Sequence, residues 1–271
     1  MEIMWIVILI GYAICAGQSI LSLTTKRPVM SRLALASLAV AFGVHTAWLV
    51  WQGVRTGRCP LVGTQEMCAF LSWGLVLSYV IASRWYRANA LKAFIFPIVF
   101  VLAAIAAIAP ATPGRPDGLN SPLQGFLFPV HAGLILLAYS SFFIAFGAGL
   151  MYIIQERELK HKRLGTIFYR LPSLETCDAI SFKSMAIGFL MLTLGIAAGL
   201  MWSRTRDGQY YHGDPVEIFT VFTWLIYLLL IQSRFSARWG GRAAALGSVV
   251  SFMIVVFSLV GVRYLGTLHG L

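Results

Sequence analysis

Charged residues are the scarcest class in this sequence of 271 residues. Asp, Glu, Lys and Arg together make up 11% of it, about half of the roughly 25% that soluble domains carry. Cysteine is also rare, with four residues and no C-x-x-C pair, and glycine, at 25 positions, is far below the one-third of a collagen. These shortages exclude a soluble globular enzyme, a disulfide-rich scaffold and a collagen. The hydrophobic fraction of 59% excludes a disordered chain.

Recognisable catalytic and nucleotide-binding motifs are absent as well. The sequence contains no Walker motif, no dinucleotide-binding fingerprint and no metalloprotease helix, and no Ser/His/Asp arrangement can be argued from it. It therefore offers no independent catalytic motif and leaves open whether the protein is an enzyme. The 21 Lys and Arg residues outnumber the 10 acidic ones, but they are scattered over short loops. Because they form no basic stripe, we expect no nucleic-acid partner.

Long apolar runs dominate what is present, and the mean hydropathy is +0.79. Runs of about 20 apolar residues are long enough to cross a bilayer as helices. We predict an all-α fold: a polytopic membrane helical bundle of about eight transmembrane helices, with residues 1–271 forming a single integral membrane domain. The predicted spans are 3–23, 33–53, 67–84, 92–109, 127–154, 186–203, 217–233 and 243–265.

The distribution of Lys and Arg predicts the orientation. Fifteen of them lie in or at the edges of the loops after spans 1, 3, 5 and 7, and six lie in or at the edges of the loops after spans 2, 4, 6 and 8. The richer side is cytoplasmic, so both termini are expected to be extracytoplasmic. Met1 and Glu2 precede the first span without a basic residue, so we expect no cleaved signal peptide. A multi-pass protein of a bacterial plasma membrane fits this pattern.

The segment 155–185 is the one sizeable cytoplasmic feature of this topology. It mixes charged with apolar residues, and Pro172 followed by Ser173 marks a plausible helix start. We expect an interfacial amphipathic segment here. Two interpretations remain open: a plain connector lying on the membrane, or a docking surface for a partner.

Histidines are the most informative polar residues. His131 lies at the outer start of span 5 and His269 just beyond the outer end of span 8, so the topology places both at one membrane face. Two neutral imidazoles facing a common gap can bind a metal or supply both axial ligands of a haem; the alternative is two ordinary interfacial residues. His45 lies within span 2, where an ionisable group is either functional or bonded to a neighbouring helix.

Two further features admit simple structural explanations. Cys59 and Cys68 both lie near the outer face, where a disulfide between them is one option and free thiols are the other. Asp214 and Pro215 open span 7, with Glu217 in its first turn, which is typical of an N-capped helix.

Several stretches, in this order along the chain, carry a family resemblance. They are Gly57-Arg58-Cys59-Pro60-Leu61 with Glu66 and Phe70-Leu71-Ser72-Trp73, His131 with Tyr139 and Tyr152, Leu171-Pro172-Ser173-Leu174-Glu175, Ile187-Gly188-Phe189, Leu192-Thr193-Leu194-Gly195-Ile196, Asp214-Pro215-x-Glu217, Thr223-Trp224-Leu225-Ile226-Tyr227, and the tail from Gly261-Val262-Arg263 to Leu268-His269-Gly270. Together they resemble the cytochrome c assembly family, which comprises the CcsA and CcmC haem-handling proteins and their shorter HemX relatives. The likeness covers nearly the whole chain.

The resemblance implies a function. Family members hold haem at the outer face beneath a tryptophan-rich loop, with a histidine on either side as axial ligands. The matching positions here are His131 and His269, with Tyr211, Asp214 and Arg263 shaping a site for haem b. The haem is then presented to the thiols of an apocytochrome c, with a cytochrome c assembly partner, so the chain is a candidate component of a haem lyase.

The sequence also departs from the family pattern. The family's tryptophan-rich loop reads WGxxWxWD, and the matching stretch 207–214 reads DGQYYHGD. All three tryptophans are missing, although Gly208 and Asp214 remain and Tyr211 keeps one aromatic ring. Larger members place a histidine in the seventh span where this chain has Gln232. These departures favour the HemX-like branch and an alternative function, a membrane regulator of tetrapyrrole synthesis that lowers glutamyl-tRNA reductase levels.

Overall fold

The structure is a computed structural model that describes most of the chain. The described residues are 2–23, 28–61, 63–85, 90–111, 122–161, 165, 168–213, 215–236 and 240–268. For 28–32, 122–124, 236 and 257–268 the description covers the backbone only.

Eight helices account for nearly all of the described residues, and no strand occurs among these residues. Their bounds are α1 Glu2–Leu21, α2 Pro28–Thr56, α3 Gly63–Trp85, α4 Leu91–Ile108, α5 Pro122–Lys160, α6 Leu174–Asp207, α7 Pro215–Ser236 and α8 Arg242–Leu268. Helices α1 to α7 are long and apolar enough to cross a membrane, while the apolar stretch of α8, counted over its described side chains, is Arg242–Val256. The prediction of a polytopic all-α membrane bundle is confirmed. The chain is a multi-pass membrane protein.

Helices α5 and α6 extend furthest beyond the spans predicted for them. Helix α5 continues to Lys160, and α6 begins at Leu174, well before the predicted span at 186. The helical parts of segment 155–185 are therefore the end of α5 and the first turns of α6. Ser173 caps α6, because its hydroxyl oxygen accepts the Thr176 backbone N–H at 3.2 Å, as the sequence predicted. The cytoplasmic location of the segment stays a prediction.

The residues form two compact units, and the first comprises 1–117 with 154–176. Within it, α1 packs on both α2 and α4, α3 packs on α4, and α2 contacts α3. Gly11 lets α1 and α2 approach closely, because a Cβ there would lie 2.5 Å from that of Ala41. The outward face of α1 exposes large apolar side chains at a helical spacing, Ile3, Ile6, Ile10 and Ile14. A face of this kind is suited to lipid.

The second unit comprises 118–153 and 177–271. Its part of α5 is packed against three helices. The Phe142 ring stacks on Tyr227 of α7 at a centroid distance of 3.5 Å, and it also lies where a Cβ on Gly188 of α6 would be. Gly149 gives α8 the same close approach, since a Cβ there would collide with Ser248. Small residues thus set the helix spacing, as membrane packing favours.

Candidate functional site

His131 projects from α5 onto α6 and is held there by a backbone bond. Its Nδ1 lies 2.7 Å from the Gly195 carbonyl oxygen. A carbonyl can only accept, so Nδ1 carries the proton and donates it. In the neutral ring the lone pair is then on Nε2, and no described residue bonds that atom. This is the arrangement that metal-ligating histidines use: one nitrogen fixes the tautomer and the other is left for the metal.

Two further residues of α6 fix the ring plane of His131. A Cβ on Gly199 would lie 2.6 Å from Nδ1 and 2.7 Å from Cε1, so only glycine leaves room for the ring. The Trp202 ring lies parallel to it, with a centroid distance of 6.3 Å and an interplanar angle of 14°. The Trp202 Nε1–H is buried and has no hydrogen-bond partner among the described residues. We call His131, Gly195, Gly199 and Trp202 the His131 site.

The chain between α6 and α7 begins after Asp207, just over one helical turn beyond Trp202 of the His131 site. Gly208 and Gly213 adopt φ values of 82° and 73°, which only glycine tolerates easily. They bracket the exposed side chains of Tyr210 and Tyr211. The Arg204 guanidinium lies over the Tyr210 ring at 4.6 Å, close enough for a cation–π contact. We call residues 208–213 the tyrosine loop.

His212 joins this loop to both helices. Its Nε2 lies 2.8 Å from Asp207 Oδ2 and its Nδ1 lies 3.3 Å from Glu217 Oε1. Glu217 Oε2 also accepts the backbone N–H groups of His212 and Gly213, at 2.8 and 2.9 Å. The hydrogen bonds to Asp207 and then to Glu217 raise the pKa of His212 above its usual value. We call His212, Asp207 and Glu217 the His212 bridge.

The structure describes two of the five site residues predicted from the sequence. His131 is held as above, and Tyr211 is exposed in the tyrosine loop. Asp214 and His269 lie outside the described residues. Arg263 lies in α8, where the description covers the backbone only. Convergence of these five residues on one ligand therefore stays a prediction.

Sequence reasoning missed most of the residues that support His131. The i, i+4 spacing of Gly195 and Gly199 is typical of close helix packing, and the side chain that Gly199 accommodates is His131 itself. Their spacing with Trp202, at i, i+4 and i+7, places all three on one face of α6, and that was the available signal. We assigned no role to His212 from the sequence, although acidic residues stand five positions away on either side.

The first unit holds a buried histidine. His45 of α2 is fully buried, and its Nδ1 lies 3.0 Å from the Tyr12 hydroxyl of α1. Of the two options given for His45, the structure shows the histidine that is hydrogen-bonded to a neighbouring helix. Its Nε2 and the indole nitrogens of Trp5 and Trp48, whose rings contact it, are buried without a hydrogen-bond partner in the described part of the chain.

The loop between α2 and α3 is anchored by a buried ion pair. Arg58 Nη1 and Nη2 donate to Glu66 Oε2 and Oε1 at 2.6 and 3.1 Å, and Gln52 donates to Glu66 Oε1 at 3.3 Å. Cys59 and Cys68 are free thiols, so the disulfide option is wrong. Burial raises the pKa of the Cys59 thiol. Within the described ranges, no three His, Cys, Asp or Glu side chains are grouped to hold a metal ion.

Comparison with known proteins decides the family. The family model described as "Cytochrome C assembly protein" matches residues 61–269. The chain therefore belongs to the cytochrome c assembly protein family. The matched range includes His131 and the tyrosine loop, and it leaves His45 outside.

Curated relatives of this cytochrome c assembly protein are named cytochrome c biogenesis protein CcsA. The protein from Prochlorococcus marinus (strain MIT 9303) is 26% identical over 264 residues, covering 87% of this chain and 83% of the relative. The one from Synechococcus sp. (strain CC9902) is 28% identical over 268 residues, covering 89% and 86%. The one from Guillardia theta is 25% identical over 248 residues, covering 86% and 81%. These matches do not single out the HemX-like branch and do not favour the regulatory alternative.

Proposed function

We propose that this protein binds haem b and delivers it for cytochrome c assembly at the outer face of a bacterial plasma membrane. The observation that carries the proposal is the bond from His131 Nδ1 to the Gly195 carbonyl. It commits one ring nitrogen to the protein and leaves Nε2 with a lone pair suited to iron. Family membership and relatives named for cytochrome c biogenesis support the same function.

The surroundings of His131 fit a porphyrin ligand. The buried Trp202 Nε1–H beside it lacks a protein partner, so a bound group with an acceptor atom would remove the cost of that unsatisfied donor. Arg204 and Arg206 lie at the same end of α6, where guanidinium groups suit the two propionates of haem. The residues present therefore fit haem, and His131 is the proposed axial ligand.

The roles proposed for the remaining site residues rest on their positions in the sequence. His269 would be the second ligand of the haem iron, Arg263 would hold a propionate, and Asp214 and Tyr211 would lie at the edge of the site. Tyrosine offers a smaller ring than the tryptophan of other members, so we expect weaker stacking on the porphyrin.

Delivery requires a partner protein with reactive thiols. Bound haem supplies the iron and the vinyl groups to which the cysteines of an apocytochrome c add. This chain supplies binding, orientation and control of the iron ligands. We propose apocytochrome c and a cytochrome c assembly protein as its partners, which would make the chain a component of a haem lyase.

The proposal is tested in cells that lack the gene. We expect covalently bound haem, detected by haem staining of c-type cytochromes after denaturing electrophoresis, to disappear and to return with the wild-type gene. Variants His131→Ala and His269→Ala should not restore it. His161→Ala is the matched control, because His161 is exposed in the turn after α5. Unchanged c-type cytochromes in the deletion strain, with altered glutamyl-tRNA reductase levels instead, would contradict the proposal.

A further inference from the structure

The tyrosine loop is tied to the ends of two helices through a single ionisable ring. We propose that His212 is a positioning residue: as an imidazolium it holds the tyrosine loop between α6 and α7, and loss of its proton loosens the loop and weakens ligand retention at the His131 site. The inference concerns regulation of that site and rests on the proposed function.

The two carboxylate contacts favour two protons on the ring. Nε2 faces Asp207 Oδ2 at 2.8 Å, and Nδ1 faces Glu217 Oε1 at 3.3 Å. Carboxylates only accept, so each nitrogen must donate, and only the imidazolium has two N–H groups. A neutral ring would set a lone pair against one of the two carboxylates.

An alternative partner for the neutral ring is already in place. The Ser203 hydroxyl lies 3.3 Å from Nδ1 and can donate to that atom when it is deprotonated. The neutral ring would then keep its bond to Asp207 and exchange its bond to Glu217 for one to Ser203. Asp207 and Ser203 both belong to α6. Deprotonation therefore cuts the connection of the ring to α7.

The charged groups that face His212 come from both helices. Asp207 at the end of α6 and Glu217 in the first turn of α7 are negative, and Arg206 donates to Asp207 Oδ2 at 2.8 and 3.1 Å. The two carboxylates raise the pKa of His212. A raised pKa means that the ordered loop favours the protonated ring. The ordering is fully present below the ordinary pKa of histidine and is lost as the pH rises through the raised value.

A continuous chain of contacts links the bridge to His131. The Arg206 guanidinium that holds Asp207 also lies over the Trp202 ring at 4.9 Å. Trp202 in turn stacks on His131. Loss of the imidazolium charge beside Asp207 therefore acts, through Arg206, on the Trp202 side chain that orients the proposed iron ligand, and it also loosens the two exposed tyrosines beside His212.

The first arm of the test needs no haem. In detergent-purified protein, histidine NMR should show His212 titrating above the ordinary pKa value of a histidine, with the signal assigned by its loss in His212→Gln. Hydrogen–deuterium exchange of the peptide covering 204–217, corrected for the intrinsic effect of pH, should be slow at low pH and faster at high pH in wild type. His212→Arg, a permanent cation, should keep it slow throughout, and His212→Gln should keep it fast.

The second arm measures haem affinity against pH. As His212 loses its proton, we expect the haem affinity of the wild type to fall roughly fivefold, the lower end of ordinary coupling between sites. The haem affinity of His212→Gln should be low and should not change with pH. His161→Gln should retain the wild-type profile. The inference is overturned if hydrogen–deuterium exchange of the wild-type loop does not change with pH. It is also overturned if the haem affinity of His212→Gln varies with pH as that of the wild type does. A protein that passes the first arm but takes up no haem contradicts the proposed function and leaves the first half of the inference, the His212 bridge, supported.

Discussion

Gly199→Ala should weaken haem binding although Gly199 is not expected to touch haem. The three atoms nearest to a Cβ at this position all belong to His131, with Nδ1 at 2.6 Å and Cε1 at 2.7 Å. Non-bonded carbon contacts are optimal at about 3.5–4.0 Å. The imidazole must therefore retreat by about 1 Å to relieve the overlap.

The displacement acts directly on the bond that orients the ring. The Nδ1 to Gly195 oxygen distance of 2.7 Å would lengthen past the limit of a useful hydrogen bond at about 3.5 Å. Losing a neutral hydrogen bond costs about 1 kcal/mol, and an unsatisfied buried donor costs about 1–3 kcal/mol. We expect the haem dissociation constant to rise about tenfold, which corresponds to about 1.4 kcal/mol.

Global stability should change much less than haem affinity. Alanine is a better helix former than glycine by about 1 kcal/mol in a helix interior, which offsets much of the local loss. The assay is titration of detergent-purified protein with haem, followed by Soret absorbance, beside a thermal unfolding curve. Gly43→Ala is the matched control, because a Cβ at Gly43 meets nothing within 4 Å. Wild-type haem affinity in Gly199→Ala, with an unchanged spectrum, would refute the assignment of His131 as a ligand held by α6.

Three further predictions concern other parts of the chain. Glu66→Gln should lower the free energy of unfolding, measured by chemical denaturation, by about 3 kcal/mol. The substitution removes the carboxylate that balances the charge of Arg58, whose side chain is 5% exposed, and a change within error would contradict this. Asp178→Asn should cost about 1–2 kcal/mol in the same assay, because it removes a bidentate pair with Arg234 at 2.8 and 2.7 Å that is partly exposed; a loss as large as that of Glu66→Gln would show that this pair is more desolvated than its exposure indicates. Tyr211→Trp should tighten haem binding in the Soret titration, because it enlarges the ring available for stacking, and weaker binding would argue against Tyr211 lying at the haem.

The membrane fold could be predicted from composition because the bilayer fixes the length of an apolar run. Each of the eight predicted spans corresponds to one helix. The bounds failed at α5 and α6, where the helices continue into polar sequence, Gln155–Lys160 and Leu174–Lys183, after the hydropathy falls. Backbone hydrogen bonding does not stop where lipid ends, so hydropathy alone cannot locate these termini.

The site was predictable only in part. His131 stood out because an ionisable ring near a span is costly unless it has a purpose, and the resemblance gave it a role. The bond to Gly195, the space left by Gly199 and the alternate partner at Ser203 depend on how α5 and the loop meet α6. Helix rotation about its axis is set by packing between helices, which a single sequence does not reveal.

The central claim, that His131 is an axial ligand of haem, is tested most directly by an optical spectrum. The detergent-purified protein is recorded oxidised and then dithionite-reduced, beside His131→Ala, His269→Ala and the His161→Ala control. The account predicts a sharp Soret band with resolved reduced bands in wild type and the control, and their loss in the other two variants. A colourless wild type that takes up no added haem, or an unaltered spectrum in both His131→Ala and His269→Ala, would contradict it.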